Sequence, residues 1–218
     1  MIESLSNRWQ VVFLTGCLGF CCGLLQSQGQ GTLNITFDGD PPQPRGTAFS
    51  VKQYYESGMG FRPIDPDASF TRHGGGNSAS PENGTAYLRA AFTQSLTFNF
   101  TDGSLFGVAA VDLAEYSTVV PDPVTVHFVG YRYDGSIVTT DFTTDGIIDG
   151  TGLLADFQTF YFGPEFSGLS RVEVPVYGWS LDNLQVSYGV PEPPTGVLLL
   201  LGGLLLWAVP RWRRKPGR

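Results

Sequence analysis

Apolar and polar residues alternate with a period of two through most of the middle of this chain. Leu33, Ile35 and Phe37 are separated by Asn34 and Thr36, Leu96, Phe98 and Phe100 by Thr97 and Asn99, and Val124, Val126 and Phe128 by Thr125 and His127. Side chains on an extended backbone point to alternate faces, so each stretch predicts a strand with one face buried and one in solvent. Further strands are predicted over Thr47–Tyr55, Phe70–Arg72, Tyr87–Ala90, Leu105–Leu113, Asp156–Phe162, Ser170–Val176 and Leu181–Tyr188, with a hairpin folding Tyr131–Phe142 about Asp134-Gly135. Asp-Gly pairs at Asp102, Asp134, Asp145 and Asp149 have the composition of turns that need positive φ. Met59–Asp67, with two prolines, reads as a loop with short extended pieces, and the glycine-rich His73–Gly84 as an exposed loop. No window keeps an apolar period of 3.6. Nine or ten short strands with abundant phenylalanine predict an all-β fold, a single jelly-roll-like antiparallel sandwich over residues 28–189.

The ends break the alternation. Arg8 precedes the apolar Val11–Leu25, which has the length of a signal-peptide core and is short for a membrane span, and polar Gln26–Gln30 follows. Residues 1–27 are therefore expected to be a signal peptide with its own helix. Leu14-Thr15-Gly16-Cys17 is a partial lipobox, which keeps lipidation of Cys17 as an alternative, although the apolar run continues beyond it. At the other end, Pro191, Pro193 and Pro194 cannot join a sheet interior. Gly196–Val209 is apolar on every side, and Arg211, Arg213, Arg214, Lys215 and Arg218 close the chain. That run as a helix covers about 21 Å of a hydrocarbon layer of about 30 Å. With Trp207 and Trp212 at its border it is expected to form a short transmembrane helix, the basic cluster on the cytoplasmic side and the acidic domain outside.

Charge and cysteine narrow the function. Residues 28–189 hold eighteen Asp/Glu against seven Lys/Arg, a formal balance of −11 that repels phosphate backbones and excludes nucleic acid as a partner. Cys17, Cys21 and Cys22 all precede the domain, so no disulfide framework is available to it. Zinc, P-loop, nucleophile-elbow and dinucleotide motifs are absent. His127 fits the solvent face of its strand and His73 an exposed loop, which leaves no catalytic set and predicts a non-enzyme. Paired carboxylates keep a glycan-active hydrolase open as the lesser alternative, with Asp112 and Glu115 close in sequence and Glu56, Glu82 and Asp182 free to converge in space. No cofactor is expected. A structural calcium ion is an alternative at Asp38, Asp40, Asp182 and Asn183, or at Asp145, Asp149 and Thr151, where turn chemistry explains the same residues. Tyr54, Tyr55, Tyr131, Tyr133, Trp179 and Tyr188 are either packing residues or a stacking platform for a carbohydrate-binding module. N-x-Ser/Thr triplets at Asn34, Asn83 and Asn99 fit ordinary strand and turn composition.

Val190-Pro191-Glu192-Pro193, the short apolar run and Arg211-Trp212-Arg213-Arg214-Lys215 together resemble a PEP-CTERM sorting signal in order, spacing and chain-terminal position. The resemblance covers residues 190–218. It implies a bacterial cell-envelope or extracellular-matrix protein, held in the inner membrane transiently or permanently and processed near the motif by an exosortase. It also implies cargo associated with surface polysaccharide. Val111–Tyr116 and Ser180–Asn183 are similar to jelly-roll cargo of such proteins, a likeness that carries no active site.

Overall fold

The computed structural model describes residues 29–91 and 93–190. The predicted signal peptide, Cys17, Pro191-Glu192-Pro193 and the basic cluster lie outside the described residues, and Val190 closes the last strand. The chain within Gln30–Gly189 is one compact unit with no helix among the described residues. In order, its strands are β1 (Gly29–Ile35), β2 (Ala48–Val51), β3 (Tyr54–Glu56), β4 (Met59–Arg62), β5 (Phe70–His73), β6 (Tyr87–Ala90), β7 (Leu96–Phe100), β8 (Phe106–Glu115), β9 (Thr125–Arg132), β10 (Ile137–Thr143), β11 (Gln158–Tyr161), β12 (Leu169–Val174) and β13 (Trp179–Val190).

The fold is all-β, antiparallel and sandwich-like. One layer runs β3-β4-β7-β12-β9-β10 and the other β2-β5-β6-β13-β8-β11, with β1 also paired to β13. A lone pair, Leu169 with Phe106, joins β12 of the first layer to β8 of the second. Alternation sends Phe61, Phe98 and Val172 inward from the first layer and Leu88, Leu113 and Leu181 inward from the second, all buried. Phenylalanine rings stitch the core at edge-on and tilted angles: Phe37 to Phe61 at 5.1 Å, Phe61 to Phe98 at 5.6 Å and Phe128 to Phe162 at 5.1 Å between centroids.

Two expectations change. Thr47–Tyr55 is two strands rather than one: β2 pairs with β5 in one layer and β3 with β4 in the other, the chain crossing between layers at Lys52-Gln53. Met59–Asp67 holds the short extended piece expected of it: Ser57 (φ 50°) and Gly58 (φ 83°) form a two-residue turn that returns the chain as β4, and no strand follows over 63–67. His73–Gly84 is an exposed loop only in part: Asn77, Ser78, Ala79 and Gly84 are exposed, whereas His73, Gly74, Gly75, Ser80 and Pro81 are buried against the outer side of the β6-β13 region. The alternation of β1 also stops short, since Phe37 takes φ 56° while staying buried. Its amide and that of Thr36 donate to the Glu56 carboxylate, at 2.9 and 3.0 Å.

Candidate functional site

The outward face of β3-β4-β7-β12-β9-β10 is built from the polar half of each alternating strand. Register places Tyr55 beside Gly60 and Gly60 beside Asn99; continued, it sets Asn99 beside Arg171, then Tyr131 and Ile137. The Tyr55 ring lies over Gly60, where a Cβ would stand 3.1 Å from a ring carbon, and is 61% exposed. Glycine at this point lets an aromatic ring rest on the strand itself. Tyr55 Oη donates to Gln53 Oε1 at 3.0 Å, which fixes the ring's outer edge. Tyr55, Gly60, Phe61, Arg62, Asn99 and Thr101 line a groove of about 230 Å³. Asn99 Nδ2 donates to Phe100 O at 2.7 Å and Thr101 Oγ1 to Gly58 O at 3.1 Å, so both side chains are held in place. Farther along, the Arg171 guanidinium stacks 3.7 Å from the Tyr131 ring centroid and bonds Glu173, which also accepts from Tyr131 Oη at 2.8 Å.

A second concavity of about 260 Å³ opens where the loops at one end of the sandwich meet, lined mainly by Tyr116, Val120, Pro123, Val124 and Tyr177 with Asp122 as its charged residue. Neither hollow is lined by a pair of carboxylates. The acidic residues considered for hydrolysis are occupied elsewhere. Glu56 accepts from the Thr36 and Phe37 amides and from Tyr54 Oη; Glu82 from the amides of Gly76 and Gly84, with Arg45 at 3.2 Å. Asp112 takes Thr159 Oγ1 and Asn183 Nδ2, and buried Glu115 takes the Gly146 amide.

The residues singled out for calcium come together only in part. Asp38 and Asp182 are neighbours: Asp38 Oδ1 accepts from the Ala86 amide, and its charge acts on Asp182. Asp182 is 0% exposed and is bonded by Asn83 Nδ2, Thr85 Oγ1 and the Asn183 amide; burial pushes its carboxyl up to about 7. Asn183, at φ 46°, turns its side chain to Asp112, and Asp40 is exposed in a turn. Asp145 caps its own turn through the Ile147 amide, Asp149 accepts from the amides of Leu153 and Leu154, and Thr151 is exposed. Among the described residues no three His, Cys, Asp or Glu side chains are grouped to hold a metal ion.

Of the two histidines, His127 is on the solvent face as expected, bonded to Asp141 at 2.5 Å. His73 is a correction. It is 1% exposed, stacked 5.0 Å from Tyr87, and accepts the Gly75 amide on Nδ1. Burial, and then the Arg89 charge, lower its pKa to about 4. The six aromatics divide as well. Tyr55, Tyr131 and Tyr133 reach the surface of the first layer, whereas Trp179 is wholly buried, and Tyr54 and Tyr188 pack on the core. Gly60 and Arg62 were missed; the Ser57-Gly58 dipeptide between Tyr-Tyr-Glu and Met-Gly-Phe was the hairpin signal that would have found them.

No family model matches the chain, and no curated protein matches it. Two solved structures of a family 11 carbohydrate-binding module from Clostridium thermocellum are similar to it over 77% of its length. One, from a cellulosomal cellulase, is 10% identical, covered over 98% of its own chain, with a TM-score of 0.26. The other, in complex with a β-1,3-1,4-mixed-linked tetrasaccharide, is 9% identical, covered over 99%, with a TM-score of 0.27. Superpositions this loose carry no weight for the fold or the ligand of this chain.

Proposed function

We propose that this chain is an exported, non-catalytic surface domain that holds polysaccharide on the outward face of the β3-β4-β7-β12-β9-β10 layer. The observation that carries the reading is the Tyr55 ring laid over Gly60 beside Asn99, Thr101 and Arg62. A sugar ring offers an apolar C–H face for stacking and a hydroxyl rim for hydrogen bonds, and the groove supplies a partner for each. Two layers whose neighbouring strands come from distant parts of the chain support a jelly-roll-like topology. Delivery rests on sequence: a signal peptide over residues 1–27 and a PEP-CTERM tail at Val190-Pro191-Glu192-Pro193, with a short membrane helix and an exosortase as processing partner. A glycan array tests the binding. Retention of at least one polymer that Tyr55→Ala abolishes is expected; retention indifferent to Tyr55→Ala, or none at all, sinks the reading. Fractionating cells that carry Pro191→Ala with Glu192→Ala tests delivery, and unchanged processing and location would remove the sorting signal.

A further inference from the structure

Residues 28–189 contain seven cationic side chains. Five are engaged. Arg45 pairs with Glu82, and Arg171 with Glu173. Arg72 bonds the carbonyls of Phe37 and Asp38. Arg89 bonds Ser80 and lies over Tyr116, and Arg132 bonds the Glu165 carbonyl. Among the described residues, the side chains of Lys52 and Arg62 have no hydrogen bond or ion pair. Arg62 is exposed and lines the Tyr55–Gly60 groove. Continuing the β3–β4 register by one residue sets Gln53 opposite Arg62, with Lys52 next along the chain.

The nearby acidic groups do not neutralise Arg62. The groove is lined by no carboxylate. Glu173, across Thr97 in the same outward row, is held by Arg171 and Tyr131. Asp102, next to Thr101, turns back on its own turn and accepts the Ser104 amide at 2.9 Å. An unneutralised guanidinium therefore faces a concavity in a domain whose formal balance is −11. Its planar fork matches a carboxylate in bidentate fashion. Asn99, whose Nδ2 is committed to Phe100 O, offers a ligand its acceptor Oδ1, the complement of a sugar hydroxyl. The acidic surface opposes unspecific adhesion of a polyanion. At physiological ionic strength that repulsion is screened beyond about 8 Å, so contact at the groove itself decides the outcome.

We infer that the groove selects acidic polysaccharide, with Arg62 pairing to a uronate carboxylate while the sugar ring rests on Tyr55. The inference depends on the polysaccharide reading above, and one experiment separates the two. The full chain in mild detergent is run through native gels containing polygalacturonate, alginate or hyaluronan, and through gels containing methyl-esterified polygalacturonate, a neutral polymer of nearly the same shape. The wild type is expected to bind polygalacturonate about tenfold more tightly than its ester, the span a single charge-assisted contact supports. Arg62→Gln is expected to equalise the two, and Arg62→Lys, which keeps charge without the fork, to fall between. Tyr55→Ala is expected to weaken both. Equal binding of acid and ester by the wild type, or a preference kept by Arg62→Gln, overturns selection by Arg62 and leaves polysaccharide binding standing. Wild-type binding to none of the four polymers nor to any glycan on the array, or binding unchanged in Tyr55→Ala, overturns both. Equal melting temperatures for wild type and the Arg62 variants confirm that the contrast is one of binding.

Discussion

On the β3-β4-β7-β12-β9-β10 layer the outward residues Tyr55, Asn99, Arg171 and Ile137 reach solvent, whereas outward Tyr87, Ala114, Ser180 and Asp182 of the other layer are buried. The cover consists of residues 74–86 and 145–157. Asp156 ties these two segments together by accepting the amides of Glu82 and Asp149 at 2.8 Å. Tyr87 packs edge-on to Phe157 and stacked on His73. Polar groups taken out of water must find partners inside the protein. Asp182 accordingly takes Asn83, Thr85 and the Asn183 amide, and His73 takes Gly75. The bare face is under no such demand, and its Arg62 has kept its hydrogen-bonding capacity. The covered face is thus suited to holding the fold and the bare one to meeting a ligand.

Two tyrosine truncations break this contrast most sharply. Tyr87→Ala removes a fully buried ring with two aromatic neighbours and is expected to destabilise the domain by about 3–5 kcal/mol. Tyr55→Ala removes a ring standing in solvent and is expected to change stability by no more than about 0.5 kcal/mol while ending the proposed polysaccharide retention. Urea unfolding followed by tryptophan fluorescence measures both, since Trp179 lies wholly in the core. Similar losses for the two variants would mean that the faces do not differ as described.

The covered face also carries two titrations of opposite sign. His73 is lowered from its ordinary 6.5 to about 4, so between those values the unfolded chain binds a proton that the folded chain refuses, and stability is lost as pH falls. Asp182 is raised from 3.8 to about 7, so the folded chain keeps a proton that the unfolded chain releases, and stability is lost as pH rises from about 4 to about 7. In the shared interval the two slopes, each about 1.4 kcal/mol per pH unit, cancel. Asp182→Asn is expected to uncover the histidine, with stability rising with pH by about 3 kcal/mol across the window, and His73→Asn to uncover the opposite trend. Urea midpoints at pH 4.5, 5.5 and 6.5, taken in EDTA so that no cation replaces the Asp182 proton, decide it. Parallel curves for the two variants would refute the assignment.

The difference between the faces was only half legible in the sequence. Period-two alternation at Leu96–Phe100 and Val124–Phe128 marked strands and their buried sides correctly, because a register error would put every apolar residue into water. Asp134-Gly135 and Asp102-Gly103 marked turns because glycine takes the positive φ they need, 84° and 78°. Alternation identifies a polar side without saying whether solvent or a loop will meet it. His73–Gly84 therefore read as exposed, and only its tertiary contacts with Tyr87 and Asp182 mark it as a cover. Thr47–Tyr55 read as one strand because its apolar pattern does not show that its two ends pair in different layers. Asp38 and Asp182 were associated because the first and last strands were expected to lie near one another, but Asn183, at φ 46° in the irregular β13–β8 pairing, gives its side chain to Asp112.

Glu56 tests whether the bare layer has any interior of its own kind. It lies on the edge strand β3, yet its carboxylate accepts two amides and the Tyr54 hydroxyl, at 3.0, 2.9 and 2.6 Å. Burial and that carboxylate both raise the Tyr54 pKa. Glu56→Ala leaves the Thr36 and Phe37 amides without their acceptor and is expected to cost about 1–3 kcal/mol. Hydrogen exchange at residues 36 and 37 should quicken with it. Unchanged exchange would mean that these amides draw their protection from elsewhere.

The smallest expected effect lies at His127 and Asp141, facing each other across β9 and β10 on the bare side with N and O 2.5 Å apart. Both side chains are partly in water, where screening and the entropy of holding two side chains together erase most of the attraction. Asp141→Asn is expected to shift stability by less than about 0.5 kcal/mol at pH 6 and at pH 8 alike. The measurement is demanding because a null is predicted, so the urea midpoints are read against Asp182→Asn as the internal contrast. A loss above about 1 kcal/mol would show that the outward face is braced by its own cross-strand pairs. In that case the open groove at Tyr55 and Arg62 would belong to a structural surface rather than to one left available for a polymer.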